Sequence, residues 1–154
     1  CEEFLDTACI YRFPNVVGIP ATHGVILDFI QRLANNPKKL KVLGNGLQKK
    51  AYIHVNELIE AMLFINKNIN NGLNYFNIGP DDDGVFVKEI AELTIKQLAP
   101  NAKIIYQNSE KGWVGDIPRF SYSIEKLRSL GWIPQLSSKQ AIKKAIKEIT
   151  EQEN

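Results

Sequence analysis

Segments with strand periodicity alternate with segments of helical periodicity along the whole of this 154-residue chain. Short runs rich in β-branched and aromatic residues are separated by amphipathic runs that are long enough to form helices. Strands that are joined by a helix normally lie parallel in one sheet. The pattern therefore predicts an α/β fold with largely parallel pairing, and no internal repeat or low-complexity tract competes with it.

Local signals place the individual elements. The predicted helices are CEEFLDTA at the start, VILDFIQRLA before Asn35, ELIEAMLFI after Asn56, VKEIAELTIKQL before Pro100, IEKLRSL after Ser123, and AIKKAIKEI after Ser137, which frays into TEQEN. The predicted strands are CIYRF, LKVL, QKKAYIHV, LNYFNIG and KIIYQ. The Gly44-Asn45-Gly46 turn predicts that the strands on either side of it pair as a hairpin. Asn56 is predicted to cap one helix, and Ser137 with Gln140 predicts a capping box ahead of the last one.

Composition restricts the class of partner. The chain has 19 basic and 17 acidic residues, and a net charge of +2 is too small for a basic nucleic-acid surface. No apolar run approaches the roughly 18 residues that span a bilayer, and no secretory signal opens the chain, so we expect a cytoplasmic protein without a membrane partner. Cys1 and Cys9 are expected to be reduced thiols, and neither His23 nor His54 has a second ligand at metal spacing. The DDDG run at 81–84 is interpreted as a solvated turn and not as a calcium loop.

Five blocks occur in a characteristic order: RFPNVVG, HGVILDFI, LKVLGNGLQKKAYIHVNELIEAM, YFNIG and GWVGDIPRFSYSIEKLRSLGWIP. With this order the chain resembles the C-terminal half of an extended short-chain dehydrogenase/reductase. The resemblance is to the nucleotide-sugar epimerase/dehydratase branch, of the UDP-glucose 4-epimerase type. It extends from Cys1 to about Ile149.

The resemblance implies a Rossmann domain that holds NAD and a smaller C-terminal lobe that holds a nucleotide sugar. Residues from about 1–20 and 57–79 would be late Rossmann elements interleaved with the substrate lobe. The Gly-rich phosphate turn and the catalytic Tyr-x-x-x-Lys pair belong to the N-terminal half of such proteins. We therefore expect this chain, which does not begin with methionine, to be an inactive fragment of an enzyme. Helices of the Rossmann half, including Glu2–Ala8 here, would make the parent a homodimer.

Candidate site residues follow from the same resemblance. Asn15 would contact the substrate diphosphate, although it could instead satisfy the backbone beside Pro14. Phe13 would border the nicotinamide of NAD, or pack in the core. Val25 and Ile26 would bind the nucleotide through backbone amides, because the first N–H groups of a helix lack intrahelical partners. His23, just ahead of that helix, could approach the phosphate, but a solvated or capping residue is the simpler interpretation.

Further candidates lie later in the chain. Leu43 would pack against the pyrimidine ring or belong to the core. Lys50 would bind the diphosphate where relatives carry arginine, or be a solvated strand residue, and lysine lacks the two-pronged donor of arginine. Asp116 would accept hydrogen bonds from the ribose. Trp113 replaces a second diphosphate arginine of the family, so Lys111 and Arg119 become alternative cations.

The implied function of the parent protein is NAD-dependent epimerisation of a nucleotide sugar, by transient transfer of a hydride to NAD. A dehydratase or reductase of the same superfamily is an alternative. A non-catalytic nucleotide-binding module is another, because Ala51, Asn56 and Trp113 depart from the family pattern. The sequence does not identify the base or the sugar.

Overall fold

The structure, a computed structural model, describes residues 5–107 and 123–153. Its strands are β1 (Thr7–Arg12), β2 (Asn15–Val17), β3 (Lys39–Val42), β4 (Lys49–Lys50), β5 (Tyr52–His54), β6 (Gly72–Asn77), β7 (Val85–Phe86) and β8 (Lys103–Tyr106). Its helices are α1 (Val25–Asn35), α2 (Val55–Asn68), α3 (Val87–Leu98), α4 (Glu125–Ser129) and α5 (Ser138–Glu153). Within these ranges no helix has the length and apolar character needed to cross a membrane.

Parallel pairing dominates the described strands, as the alternation of elements predicts. β1 pairs with β6, β2 with β5 and β3 with β8, all in parallel, while β4 and β7 are antiparallel. Each parallel pair is joined through helical segments of the chain. The predicted α/β class is therefore confirmed.

The predicted hairpin around Gly44-Asn45-Gly46 is wrong. Gly44 and Gly46 do adopt positive φ angles of 74° and 75°, so the turn chemistry is present. However, the carbonyl of Gly44 accepts from the amide of Gln107, and that of Gly46 accepts from Lys88. The two glycines are thus bonded to two different parts of the chain and not to each other's strand. β3 pairs with β8 instead of with the strand that follows it.

The apolar residues form two clusters. The first joins α1, α3 and α5 to β3 and includes the residues that the helical spacing of α1 predicts: Ile26, Phe29, Ile30 and Leu33. The second packs α2 and α4 against β1 and β6 and is centred on Ile53, Leu58, Ala61, Ile65, Phe76, Ile78 and Leu127. Tyr52 and Ile53, adjacent on β5, belong to different clusters because successive side chains of a strand point to opposite faces. β5 is therefore the element shared by both.

The helix termini agree with one of the predictions and differ from two others. Nδ1 of His54, not Asn56, caps α2 by accepting from the Asn56 amide at 3.3 Å. The capping box of Ser137 and Gln140 is confirmed. The Ser137 amide donates to Oε1 of Gln140 at 2.8 Å, and the Gln140 amide donates to Oγ of Ser137 at 3.3 Å. α5 continues to Glu153 instead of fraying.

At the start of the described chain, Thr7 and Ala8 belong to β1 and not to a helix. They pair with Gly72 and Leu73, so the strand passes from Ala8 to Cys9 without a break. Cys9 is half-buried beside Tyr11, whose hydroxyl donates to Asn66 at 2.7 Å. Burial, together with the neighbouring thiol, raises the pKa of Tyr11 to about 12.

The aspartates of the DDDG run are exposed, as predicted for a solvated turn, but their carboxylates also bond to other parts of the fold. Asp82 accepts from the amide and the hydroxyl of Ser138, at 2.6 and 2.7 Å, and so caps α5. Asp81 forms an ion pair with Arg128 of α4, and Asp83 lies 3.6 Å from the Lys49 ammonium. These carboxylates tie the turn to three other elements, contacts that a local pattern cannot reveal.

Gly84, which ends this turn, packs against the backbone of Lys50 and Ala51 with no room for a Cβ. We expect Gly84→Ala to lower the free energy of unfolding by about 3 kcal/mol or more, because φ is +88° and the new Cβ would lie 2.2 Å from the carbonyl oxygen of Lys50. Gly72→Ala is the matched control, with φ of +107° but open space around the Cβ, and should cost only about 1–2 kcal/mol. Urea unfolding measures both, and equal losses would contradict the steric argument.

Candidate functional site

A cavity of about 650 Å³ lies between the first hydrophobic cluster and β2. Its walls come from β2 and the loop that follows it, from the first turns of α1, and from the end of β3. The remaining lining residues are Gln48, Lys50, Tyr52, Val55, Val87 and Ile149. Of the sequence-predicted site residues, this cavity brings together Asn15, Val25, Ile26, Leu43 and Lys50.

The N-terminus of α1 opens on this cavity. Gly24 is its N-cap, with φ of 106°, and no side chain bonds the cap. Ile26 is buried among the core residues, so its backbone amide is the group that it can offer to a ligand. The first N–H groups of a helix are unpaired donors at the positive end of its dipole. This wall is therefore suited to an anion, in the way predicted for Val25 and Ile26.

Two polar side chains face the same space from the neighbouring strands. Asn15 is exposed on β2, in parallel register with Tyr52 of β5. Lys50 is half-buried on β4. Gln48, Lys50 and Tyr52 alternate along the chain and all line the cavity. Alternate residues of a strand lie on one face, so the sequence did contain a signal for these residues. Counting two positions in each direction from Lys50 would have added Gln48 and Tyr52 to the candidate site.

The two predicted apolar contacts differ in position. Leu43 follows the end of β3, lines the cavity and is 43% exposed, so a place in the core does not account for it. Phe13 is 45% exposed at the carboxyl end of β1 and is not part of the cavity wall. The exposed Phe13 ring is therefore not a core residue of this chain either. Unlike the other candidates described above, it lies outside the cavity wall.

An acidic residue that sequence reasoning missed also reaches the cavity. Asp28, in the first turn of α1, lies 2.8 Å from the Nε of Arg32. Arg32 also donates from Nη1 to the carbonyl oxygen of Lys41, 3.0 Å away on β3. Arg32 thus offsets the charge of Asp28 beside the N-terminus of α1 and links α1 to β3.

His23 lines the cavity but does not cap α1, and its Nδ1 lies 3.0 Å from the hydroxyl of Thr22. Asp116, with Lys111, Trp113 and Arg119, falls outside the described residues, so its predicted role stays a prediction. Within the described ranges no group of three or more His, Cys, Asp or Glu side chains is arranged to hold a metal ion.

The Tyr-x-x-x-Lys spacing does occur in this chain, at Tyr122 and Lys126, contrary to the expectation that it lies only upstream. Lys126 donates to the carbonyl oxygen of Tyr75 at 2.9 Å, and its ammonium lies 4.4 Å from the centre of the Phe76 ring. It is not among the residues of the cavity wall. Lys126 is therefore bonded to β6, away from the cavity wall, while Tyr122 falls outside the described residues.

Residues 2–79 match the family described as the NAD dependent epimerase/dehydratase family. This is half of the chain. The chain belongs to the NAD-dependent epimerase/dehydratase family. NAD is therefore the cofactor of the family to which it belongs.

Individual members of this epimerase/dehydratase family are similar over more of the chain. Human dTDP-D-glucose 4,6-dehydratase is 32% identical, over 94% of this chain and 42% of its own length. GDP-L-fucose synthase 1 of Arabidopsis thaliana is 27% identical, over 74% of this chain and 34% of its own length. The crystal structure of a UDP-galactose 4-epimerase is 31% identical, with a TM-score of 0.81, and covers 95% of this chain and 46% of that one. The chain spans less than half the length of each.

The ion pair between Asp28 and Arg32 can be tested through anion binding at the cavity. Arg32→Gln leaves this carboxylate without its cation, so affinity for pyrophosphate should fall about two- to fivefold. Adding Asp28→Asn in the same protein should restore the affinity. Calorimetric titration at low ionic strength measures both.

Lys147→Gln is the matched control, because it breaks a similar pair, with Glu151 at 3.8 Å, that does not line the cavity. An equal loss of affinity in this control variant would contradict a local effect of charge.

Proposed function

We propose that the protein carrying this chain is an NAD-dependent nucleotide-sugar epimerase, in which this chain supplies the substrate-binding pocket. The observation that carries the proposal is the convergence of five residues, predicted from scattered blocks of sequence, on one cavity. The 31% identity and TM-score of 0.81 to a UDP-galactose 4-epimerase support the same reading. A UDP-sugar is the substrate class that we favour.

Different residues of the cavity contact different parts of the substrate. The amides at the start of α1 and the Lys50 ammonium bind the diphosphate from two sides. Asn15, at the start of β2, donates to it. Leu43 packs against the base. Such fixed contacts orient the sugar and lower the entropic cost of reaching the reactive geometry, while proton transfer belongs to groups outside this chain.

The described residues are compatible with NAD. Phe13 presents an exposed aromatic ring at the carboxyl end of a parallel strand, where open α/β sheets bind nucleotides. It would border the nicotinamide, beside the substrate cavity and not within it. NAD would supply reversible hydride transfer to and from the sugar. The remaining NAD contacts would come from the N-terminal half, so we expect this chain alone to be inactive.

The two hydrophobic clusters support a division of roles within the chain. The cluster of α2, β1 and β6 would extend the Rossmann sheet of the parent, and the cluster of α1, α3 and α5 would form the substrate lobe. In this arrangement the parent would be a cytoplasmic homodimer that associates through Rossmann helices.

A dehydratase is the second candidate, and the 32% identity to human dTDP-D-glucose 4,6-dehydratase is the observation that favours it. Incubation of the full-length protein with NAD and UDP-glucose separates the two. An epimerase yields UDP-galactose without loss of water, whereas a dehydratase yields a 4-keto-6-deoxy sugar. A non-catalytic module would bind the nucleotide sugar and release it unchanged.

Lys50 provides the most direct test of the pocket. We expect Lys50→Ala to weaken binding of UDP-glucose to the full-length protein about tenfold, because a charge-assisted contact with the diphosphate is lost. Lys50→Arg should bind at least as tightly as the wild type, since arginine can form two parallel hydrogen bonds with phosphate oxygens. Isothermal titration calorimetry measures both affinities.

Lys49→Ala is the matched control. Lys49 is the adjacent strand residue, but it contacts Asp83 and lies over the ring of Phe86, away from the cavity wall. Its variant should keep the wild-type affinity. If Lys49→Ala weakens binding as much as Lys50→Ala does, the proposed pocket is wrong.

A further inference from the structure

His54 is buried directly behind the cavity and has a hydrogen-bond partner on each ring nitrogen. Its side chain is 1% exposed. Nε2 lies 2.8 Å from Oε2 of Glu148 on α5, and Nδ1 lies 3.3 Å from the backbone nitrogen of Asn56 on α2. The ring therefore joins two helices that belong to different hydrophobic clusters.

The hydrogen bonds determine which nitrogen carries the proton. A backbone N–H can only donate, so Nδ1 is the acceptor in the bond to Asn56. In the neutral ring the proton is then on Nε2, which donates it to the Glu148 carboxylate. A side chain that donates to one helix and accepts from another fixes the distance between them.

The ring is also in contact with the cavity wall. A Cβ placed on Gly18 would lie 3.0 Å from the Nε2 of His54 and 2.8 Å from the Cγ1 of Val55. Gly18 and Val55 line the cavity, and so does Ile149, the residue that follows Glu148. Gly18 has a φ of +130°, so it reaches this position through a backbone conformation that suits glycine. Three residues of the wall thus rest against the His54–Glu148 pair or adjoin it.

We infer that His54 is a positioning residue for the substrate pocket, and that its Nε2 bond to Glu148 holds the back wall formed by Gly18, Val55 and Ile149. His54 touches no ligand in this account and acts only through these neighbours. The inference rests on the proposed function in one respect, namely that this cavity is where the nucleotide sugar binds. It adds a role for a buried pair that the proposed function does not use.

Two substitutions separate the two bonds of the ring. His54→Asn places an amide oxygen where Nδ1 lies and keeps the cap of α2, but it is too short to reach Glu148. His54→Gln can still donate to Glu148 and loses the cap. If the inference is right, His54→Asn disturbs the pocket, and His54→Gln restores most of the wild-type behaviour.

Glu57→Ala is the matched control for loss of stability. Glu57 is a buried side chain of α2, and its Oε1 accepts from the amides of Gln135 and Leu136 at 2.6 and 3.0 Å. It does not line the cavity. Its removal should destabilise the fold without changing the pocket.

The experiment measures amide hydrogen exchange and UDP-glucose affinity in the full-length protein and the three variants. We expect His54→Asn to speed exchange at Gly18 and Ile19 and to weaken UDP-glucose binding about tenfold. His54→Gln and Glu57→Ala should leave both measurements near their wild-type values.

The inference is overturned if His54→Asn matches the wild type, or if either of the other two variants changes both measurements as much as His54→Asn does. The exchange measurement needs no ligand. If the wild-type protein binds no UDP-glucose, the proposed function fails, and exchange at Gly18 alone then decides whether His54 positions this wall.

Discussion

The short parallel pairing of β2 with β5 is the constraint on which the rest of the structure depends. Three residues of each strand pair in register, from Asn15 opposite Tyr52 to Val17 opposite His54. Because successive side chains of β5 point to opposite faces, Tyr52 is buried in one hydrophobic cluster and Ile53 in the other. The amide of Tyr52 also donates to the hydroxyl of Ser138, which connects the strand to the start of α5. The cavity lies beside this pairing, so its shape depends on both clusters.

Local sequence signals predicted most of the elements but not all of their partners. The apolar stripe of α1 and the capping box of α5 depend on residues a few positions apart, and both are confirmed. The turn at Gly44 and Gly46 was also local, yet the strand that pairs with β3 lies about sixty residues further along the chain. Nothing within the LKVLGNGLQKK segment encodes that distant partner, and the hairpin prediction failed for this reason.

The candidate site shows the same limit. Resemblance to a family supplied Asn15, Val25, Ile26, Leu43 and Lys50, which the fold brings to one cavity. His54 lies in one of the blocks that carry the resemblance, but no signal in the sequence pairs it with Glu148, which is 94 positions away. Asp28 was missed for another reason, since an acidic residue four positions before an arginine is an ordinary surface pair of a helix.

The central claim is that the N-terminus of α1 binds the diphosphate of a nucleotide sugar. Its most direct test is an NMR titration of the ¹⁵N-labelled full-length protein with UDP-glucose, in which the backbone amides are observed one by one. The account predicts large shifts at Val25 and Ile26 and unchanged signals at the end of α2, around Lys67, which lies outside the cavity wall. Saturable binding that leaves Val25 and Ile26 unshifted would contradict it.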